Sequence, residues 1–430
     1  MKRRWLLAIA AIASCTSPPP PQDGGDASDE RAADSALDVV EASDSSVDAV
    51  AIDDVTNDRG TDEGATDAMI SCANNQVSAI GTGWNHALAI AEDRTLWSVG
   101  ANGSGQLGLG DNADRARFAA VPAAMGARWR VVAGGSRHSC GIREDGTLWC
   151  WGVNVHGQLG TGDTRDQTVA QRVGSESDWV EVTCGGLHSC GIRQGGALYC
   201  WGSNPAGQLG LGAVSGDRTT PQRVGDALGW RSLAAKARFN CALREGDSLW
   251  CWGDNSDGQI GNGDTVDQRS PVQIASAQRW AQVRMGPLHT CAITVEGALY
   301  CWGLNDSGQL GTGDTSNART PTRVGSRTNW RMVSGGFEHT CAITVDDELF
   351  CWGNSALAQL GLGVGGAVTA PTRALSEAGA MSDVVTGQGH TCALTRAGAL
   401  HCWGDNASGQ AALGARAPVR ATPGRACFER

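Results

Sequence analysis

The chain has 430 residues, of which 60 are Gly, and its 16 Trp far outnumber its 2 Tyr and 5 Phe. This skew indicates one repeated unit rather than two or three unrelated domains. The net charge of −11 is unevenly placed, because residues 16–71 hold 15 acidic side chains and two Arg, which leaves residues 72–430 at a net charge of −1. A nearly neutral body without runs of Lys or Arg lacks the charge pattern of a nucleic-acid-binding protein, so no nucleic-acid partner is expected.

The N-terminus predicts export. Three basic residues at positions 2–4 precede an apolar stretch that is too short to span a bilayer and ends in Ile-Ala-Ser-Cys. This ending resembles the lipobox of bacterial lipoproteins, which implies removal of residues 1–14 and attachment of lipid to Cys15. Thr16, in place of an Asp that would favour the inner membrane, implies anchoring at the outer membrane or cell surface. An ordinary secretory signal, with Cys15 incidental, is the alternative.

Residues 15–71 have the composition of a tether. Asp, Ala, Ser, Gly and Pro dominate, and no hydrophobic period of 2 or 3.6 persists. Such a segment cannot bury enough apolar surface to fold, so a disordered acidic linker is predicted. Its reach on random-coil scaling is roughly 40 Å, which would hold the folded body away from the membrane.

The rest of the chain is built from repeats. The pattern W-G-x-N-x-x-G-Q-L-G-x-G-D occurs at 151–163 and 302–314, and with Ile in place of Leu at 252–264. Weaker copies begin at Val99, Trp201, Trp352 and Trp403. Each unit of about fifty residues contains four short predicted strands, which can bury their faces only by stacking on other units, and radial closure leaves no long exposed edge. We therefore predict an all-β, seven-bladed β-propeller over residues 72–430.

This motif and period resemble the regulator of chromosome condensation repeat family, over residues 77 to about 421. The resemblance implies the propeller but not the function, because one architecture hosts unrelated activities. Relatives include a nuclear guanine-nucleotide exchange factor, a plant ultraviolet-B photoreceptor and a secreted β-lactamase inhibitor. Nucleotide exchange is not expected of an exported chain. The photoreceptor loop G-W-R-H-T has one partial match, at 83–86, so ultraviolet sensing is not expected either.

Twelve of the 16 cysteines form six couples with one spacing and a tight turn between the members. A three-residue turn places each couple at a non-hydrogen-bonded pair of a hairpin, where side chains lie closest, so disulfides are predicted. Repeat 1 has Leu88 and Ser98 at these columns and lacks both cysteines together. A zinc site is the alternative, but the couples lack C-x-x-C loops, and no metal is expected. The couples are Cys140–Cys150, Cys190–Cys200, Cys241–Cys251, Cys291–Cys301, Cys341–Cys351 and Cys392–Cys402.

Two further cysteines are assigned to ring closure. The chain begins with a strand near Val77 that the last repeat would otherwise need, and extending that repeat brings Cys427 level with Val77. The two ends should therefore meet, sealed by a Cys72–Cys427 disulfide. Cys184 is predicted to be a partly buried free thiol.

Recognition is expected where the repeats differ, because residues repeated in every unit maintain the fold. The two columns before a recurring His vary most, and they predict a binding rim. A His column, with Asn240 standing in the fourth repeat, is interpreted as a loop hydrogen-bonding position, and the fourth repeat as one residue longer with Lys236 inserted. The rim comprises Trp84, Asn85, Arg137, Leu187, Arg238, Phe239, Leu288, Phe337 and Glu338.

No catalytic constellation stands out, so the chain is predicted to be a monomeric, non-catalytic, surface-tethered protein without cofactor. Its partner is expected to be a macromolecule, a protein in the first instance, and an exported propeller enzyme or carbohydrate-binding protein is the alternative. Replacing Arg238 and Phe239 with Ala should weaken partner binding and leave stability nearly unchanged. The alternative binding surface is the opposite face, placed in the loops around Asp114–Phe118 and Ala213–Arg218.

Overall fold

A computed structural model describes residues 75–429 apart from 123–125, 215, 364, 375–378 and 417–418. The predictions for residues 1–74, which include Cys15, the linker and Cys72, lie outside the described residues. Within the described part of the chain, no helix has both the length and the apolar character needed to cross a bilayer.

The described chain forms 28 strands in seven antiparallel sheets. Blade 1 has β1 Val77–Thr82, β2 His86–Ala91, β3 Leu96–Gly100 and β4 Arg115–Ala120. Blade 2 has β5 Trp129–Gly134, β6 His138–Arg143, β7 Leu148–Gly152 and β8 Gln167–Arg172. Blade 3 has β9 Trp179–Cys184, β10 His188–Arg193, β11 Ala197–Gly202 and β12 Arg218–Arg223. Blade 4 has β13 Trp230–Lys236, β14 Phe239–Arg244, β15 Ser248–Gly253 and β16 Gln268–Ile274, with a short 3-10 turn at Glu245–Asp247.

The last three blades repeat this arrangement. Blade 5 has β17 Trp280–Met285, β18 His289–Thr294, β19 Leu299–Gly303 and β20 Ala318–Arg323. Blade 6 has β21 Trp330–Gly335, β22 His339–Thr344, β23 Leu349–Gly353 and β24 Val368–Arg373. Blade 7 has β25 Met381–Thr386, β26 His390–Thr395, β27 Leu400–Asp405 and β28 Val419–Arg425.

Four consecutive strands form each sheet in chain order, from the inner strand at the axis to the outer strand. The predicted seven-bladed propeller is confirmed. The second strand of a blade is buried on both of its faces, as in β18 and β26, because neighbouring blades cover it on either side. This double burial explains its continuous run of small and apolar residues, where a half-exposed strand would alternate.

Tryptophans fill the space between blades. In blades 2 to 6 the first residue of the inner strand is a Trp whose ring lies 5.8–6.2 Å, edge-on or tilted, from the Trp of the third strand. These geometries are the favoured ones for aromatic pairs. Two Trp per blade explain most of the unusual Trp content.

A recurring hydrogen-bonded latch joins consecutive blades from blade 1 to blade 7. The main-chain carbonyl of Gln106 in blade 1 accepts from the Trp151 indole and from the Ser139 hydroxyl of blade 2, both at 2.9 Å. The Ser139 oxygen in turn accepts from Nε2 of His86, at 2.8 Å. Since the hydroxyl hydrogen is used on the carbonyl, the His must donate, and its tautomer is thereby assigned.

Blades 7 and 1 meet at a seam without this latch. Ala87 and Val99 stand where later blades have the hydroxyl and the Trp, and Nε2 of His390 has no hydrogen-bond partner among the described residues. The C-terminal segment closes the seam instead, with Phe428 stacked on Phe118 at 4.8 Å and edge-on to Trp97 at 5.5 Å. The two ends of the propeller therefore meet, as expected. The Cys72–Cys427 bond stays a prediction, since Cys72 lies outside the described residues.

The six predicted hairpin couples are disulfide-bonded in the structure, with Cα–Cα distances of 4.1 Å. In blade 2, Cys140 lies directly opposite Cys150, and the turn closes with a hydrogen bond from the Arg143 N–H to the Thr147 carbonyl. Counting outwards from that bonded pair makes the couple a non-hydrogen-bonded pair. Cys184 is a buried free thiol, and the described residues contain no cluster of three or more potential metal ligands.

Candidate binding face and axial channel

The propeller has two ends with different loops. His86 lies opposite Gly100, which lies opposite Arg115, so the second strand starts, the third ends and the outer strand starts at one level. The loops between the first and second strands and between the third and outer strands therefore share one end, which we call the loop face. The tight turns lie at the other end, the turn face. Consequently the loops near Asp114 and Ala213 are on the same face as the predicted rim, and the prediction that they form the opposite face is wrong.

Two residues of the predicted rim are not on the surface. The side chain of Trp84 is 3% exposed and that of Phe239 is 0% exposed, where it packs in a core with Ile260 and Trp302. They are wrong as surface anchors. Replacing Phe239 with Ala would remove a core side chain, so the expectation of nearly unchanged stability is also wrong.

The other rim positions do reach the loop face. Arg137 is exposed, whereas Asn85, Leu187, Leu288 and Phe337 are partly exposed. Two more are held within their own blades. The Arg238 guanidinium is 3.0 Å from the Asp254 carboxylate in a largely buried ion pair, and the Asn354 amide donates to the Glu338 carboxylate at 2.6 Å.

The predicted alignment of the fourth repeat with the other repeats is wrong by one residue. Phe239 lies opposite Gly253 just as His138 lies opposite Gly152, so Phe239 holds the His position and Asn240 the hydroxyl position. Asn240 acts as the hydroxyl does, accepting from His188 at 2.9 Å and donating to the Gln208 carbonyl at 2.7 Å. The interval from the inner-strand Trp is the same in both blades, so no residue is inserted. Lys236 replaces the first Gly of the loop, and counting from the Trp or the Cys would have revealed this.

The His ring is structural. All six members are fully buried, and burial is the largest cause that lowers their pKa values to about 3 or 4. They are neutral at physiological pH, and all of them except His390 form a hydrogen bond from Nε2 to the next blade. The members are His86, His138, His188, His289, His339 and His390.

The loop face presents apolar side chains from three consecutive blades. Val155, Val214 and Val266 are 59%, 44% and 64% exposed in the loops that lead to the outer strands of blades 2, 3 and 4. The same class of loop is acidic. Residues 101–114, 153–166, 203–217, 254–267, 304–317, 354–367 and 406–418 together hold eleven Asp and two Arg.

The outer strands have the opposite charge. The seven outer strands contain eleven Arg and no Asp, Glu or Lys. The body is nearly neutral overall, but its negative charges lie in the loops of the loop face and its positive charges on the outer strands. Arg and Pro on these edges also discourage pairing with the strands of other molecules.

An axial channel runs between the seven inner strands. It encloses a cavity of about 260 Å³ lined by residues of every blade. Its wall carries two basic and two acidic side chains from four blades, together with the Cys184 thiol. The charged residues are Glu181, Lys236, Arg284 and Asp383. Sequence reasoning missed this set, because the inner strands contact one another only across blades.

Comparisons with known proteins agree on the repeat. A model of the Regulator of chromosome condensation (RCC1) repeat matches residues 94–142, 145–192, 195–243, 247–293 and 296–343. A second model of the same repeat matches seven segments between residues 77 and 410.

Curated relatives include the Ultraviolet-B receptor UVR8 of Arabidopsis thaliana, 29% identical over 197 residues that cover 45% of this chain and 44% of the receptor. Another is the mitochondrial RCC1 domain-containing protein RUG3 of the same plant, 31% identical over 28% of each chain. The matches thus span less than half the length of these relatives.

Solved structures share the fold. Yeast RCC1 (Prp20), bound to Kap60, superposes with a TM-score of 0.69 at 21% identity and covers 87% of this chain and 90% of its own. Human WBSCR16 gives 0.68 at 22% identity, covering 75% and 88%. At these identities the likeness shows the architecture alone.

Proposed function

Because the chain belongs to the regulator of chromosome condensation repeat family, we propose that it is a non-catalytic scaffold that binds a protein partner on its loop face. Yeast RCC1 (Prp20) has been solved bound to Kap60. Its structure is also reported together with its binding to Gsp1p and histones. These descriptions support a protein partner as the class of ligand. The identity of the partner does not carry over, since this chain differs from those proteins at about four positions in five.

The exposed valines of the loop face carry this proposal. Val155, Val214 and Val266 are exposed, and a blade does not need a valine at these positions. Other blades have Gly, Ser, Asp, Pro or Ala in place of Val155, and Ala, Arg or Ser in place of Val266. Together with the partly exposed Leu187 and Leu288, the valines give blades 2 to 5 apolar contact groups on one face. Apolar groups buried on association provide most of the energy at protein interfaces.

The charge of the loop face indicates the chemistry of the partner. The Asp-rich loops surround the valines, and Asp254 and Asp257 of blade 4 lie in the same loop as Val266. A partner with a basic rim around an apolar centre would complement this surface. Such complementarity raises the rate of association and the salt dependence more than it raises affinity.

The test compares two valines on opposite faces. Val266→Glu introduces a charge on the loop face, whereas Val345→Glu does so on the turn face, where Val345 is 56% exposed. A partner captured by cross-linking from intact cells and then purified should bind the Val266 variant at least about tenfold more weakly, a loss of about 1.4 kcal/mol. It should bind the Val345 variant as tightly as the wild type. Equal affinity for wild type and the Val266 variant, or loss only in the Val345 variant, would contradict the proposal.

The tether is a separate part of the proposal. We propose that lipid on Cys15 holds the propeller at a cell surface, with residues 15–71 as the linker. Cys15→Ser should move the protein from the membrane to the soluble fraction or leave it unprocessed. Unchanged fractionation together with unchanged processing would count against the anchor.

A carbohydrate ligand is the second candidate, and the outer strands favour it. Arg172 pairs with Trp149, Arg223 with Tyr199 and Arg323 with Tyr300, so an Arg and a partly exposed ring occupy directly opposite positions on neighbouring strands. An array of neutral and acidic glycans distinguishes the two candidates. Binding that falls on Trp149→Ala, but not on Val266→Glu, would favour the carbohydrate.

A further inference from the structure

Blade 4 departs from the other blades at two positions of the inner loop. Six blades have Gly and His there, and a Cβ built on Gly135 or Gly185 would overlap the ring of the His in its own blade. In blade 4 both positions change together, since Lys236 replaces the Gly and Phe239 replaces the His. The paired change is not needed to build a blade, since six blades do without it.

Lys236 points its amine toward the axis. The residue lines the axial channel, and burial lowers its pKa to about 8. Its charge acts on His86, His339 and His390, which belong to blades 1, 6 and 7 on the far side of the ring. The ammonium thus lies across the channel at the level of the His ring. Within the described residues it makes no hydrogen bond or ion pair.

A second cation lies deeper in the channel. Arg284 of β17 faces the carboxyl groups of Glu181 on β9 and Asp383 on β25, and its charge acts on both. None of the ion pairs within 4 Å found among the described residues involves Arg284. Burial raises the pKa of Asp383 to about 6 and also raises the pKa of Glu181. Burial thus shifts both carboxyls toward the neutral form, and it shifts the Lys236 amine the same way, to a pKa of about 8 that leaves it mostly protonated at pH 7.

These observations point to an anion. Lys236 is partly buried, and a partly desolvated ammonium without a partner is costly, so a carboxylate that pairs with it offsets that cost. We propose that the axial channel is a binding site for a small organic anion, whose carboxylate pairs with Lys236 and which extends toward Arg284. The cavity of about 260 Å³ is just below the roughly 300–1,000 Å³ of pockets for drug-sized ligands, so the ligand is of metabolite size. This site is distinct from the loop-face valines and does not depend on the protein partner.

The first experiment uses succinate as the anionic probe and putrescine as a cationic probe of similar length, titrated calorimetrically into the full-length protein. Succinate should bind saturably and putrescine should not. Lys236→Met removes the charge at similar length and should weaken succinate binding at least about tenfold, whereas Lys236→Arg should retain it. Arg319→Met, which removes an exposed cation from an outer strand, is the matched control and should change nothing.

The pH dependence provides a readout that a merely structural lysine would not give. Four other titratable groups interact electrostatically with the Lys236 amine: Cys184, His86, His339 and His390. Burial raises the pKa of Cys184 to about 12 and lowers those of the three histidines to about 3. None of these four titrates between pH 5 and 9. Asp383, whose pKa is about 6, faces Arg284 and reduces binding as it ionises from pH 6 upward, and burial raises the pKa of Glu181 as well. Loss of binding above pH 8 therefore reports Lys236, and Lys236→Arg should extend binding to pH 9.

A third measurement needs no variant. Lys236 is the only lysine after residue 2, so acetylation by acetic anhydride, read by peptide mass mapping, reports its accessibility. Saturating succinate should slow this reaction and putrescine should not. The proposal is overturned if succinate fails to bind and gives no protection, if putrescine binds in its place, or if Lys236→Met binds succinate like the wild type.

Discussion

Acid should unfold this propeller because of its ring of buried histidines. An unfolded chain protonates its histidines near pH 6.5, whereas burial lowers the pKa of the six ring members to about 3 or 4. Below pH 6.5 the unfolded state therefore binds up to six more protons than the folded state. Stability is fully present above pH 6.5 and is lost as the pH falls toward the folded-state pKa values.

The size of the effect follows from the number of histidines. At pH 5.5, one unit below the unfolded pKa, each histidine removes about 1.4 kcal/mol, and six together remove about 8 kcal/mol relative to pH 7.5. Asp383 acts in the opposite sense, because its raised pKa of about 6 favours protonation in the folded state. Protonation of this carboxyl raises the free energy of unfolding by about 1 kcal/mol between pH 7.5 and pH 5.5. The remaining loss is comparable with the whole stability of many domains.

Urea denaturation followed by Trp fluorescence measures this loss. The buried Trp pairs report unfolding of every blade, and the midpoint should fall markedly between pH 7.5 and pH 5.5. His138→Gln keeps a donor near the Ser189 hydroxyl, which His138 contacts at 2.9 Å, but removes one titrating group. Its stability should fall by about 1.4 kcal/mol less than that of the wild type over this range. A midpoint that does not change with pH, or an equal loss in His138→Gln, would refute the reasoning.

Three further predictions concern stability at neutral pH. Replacing both Cys291 and Cys301 with Ala should cost about 3 kcal/mol by the chain-entropy account of an 11-residue loop, measured by urea denaturation, and an unchanged midpoint would argue against it. Phe239→Ala should cost about 3–5 kcal/mol because the ring is fully buried, and Arg238→Ala should cost less; equal midpoints for these two variants would contradict the buried position of Phe239. Phe428→Ala should speed hydrogen exchange in β1 and β4 next to the seam while β14 and β18 keep their protection, and exchange that rises equally in all blades would contradict a local role.

The sequence predicted what depends on local spacing. The fifty-residue period, the hairpin couples and the strand at Val77 all follow from counting along the chain, and the structure has each of them. The position of the binding surface depends also on the direction of each strand, which residue spacing alone does not give. Strands alternate in direction, so the loops near Asp114 share a face with the rim. Counting the strands between the two loops in the sequence is enough to predict this.

Burial was harder to predict than the fold. The polarity of Asn240 favours its assignment to the His column, which places Phe239 in the loop. In the structure Asn240 makes the hydrogen bonds that the hydroxyl makes in other blades, and Phe239 fills the His position as a core residue. The channel charges could not be predicted, because Lys236 and Asp383 are far apart in the chain and meet only when the ring closes.

The seam between blades 7 and 1 also disfavours polymerisation of the chain. Every latch has the same direction, from one blade to the next, and an open ring with such a latch at both ends would assemble head to tail into a polymer. Blade 1 has no hydroxyl or Trp to offer, so blade 7 of another molecule cannot engage it in this way. Closure instead uses Phe428, which reaches Phe118 within the same chain at high effective concentration. The absence of the latch at one junction thus makes the closed ring the favoured product even at a high concentration of chains.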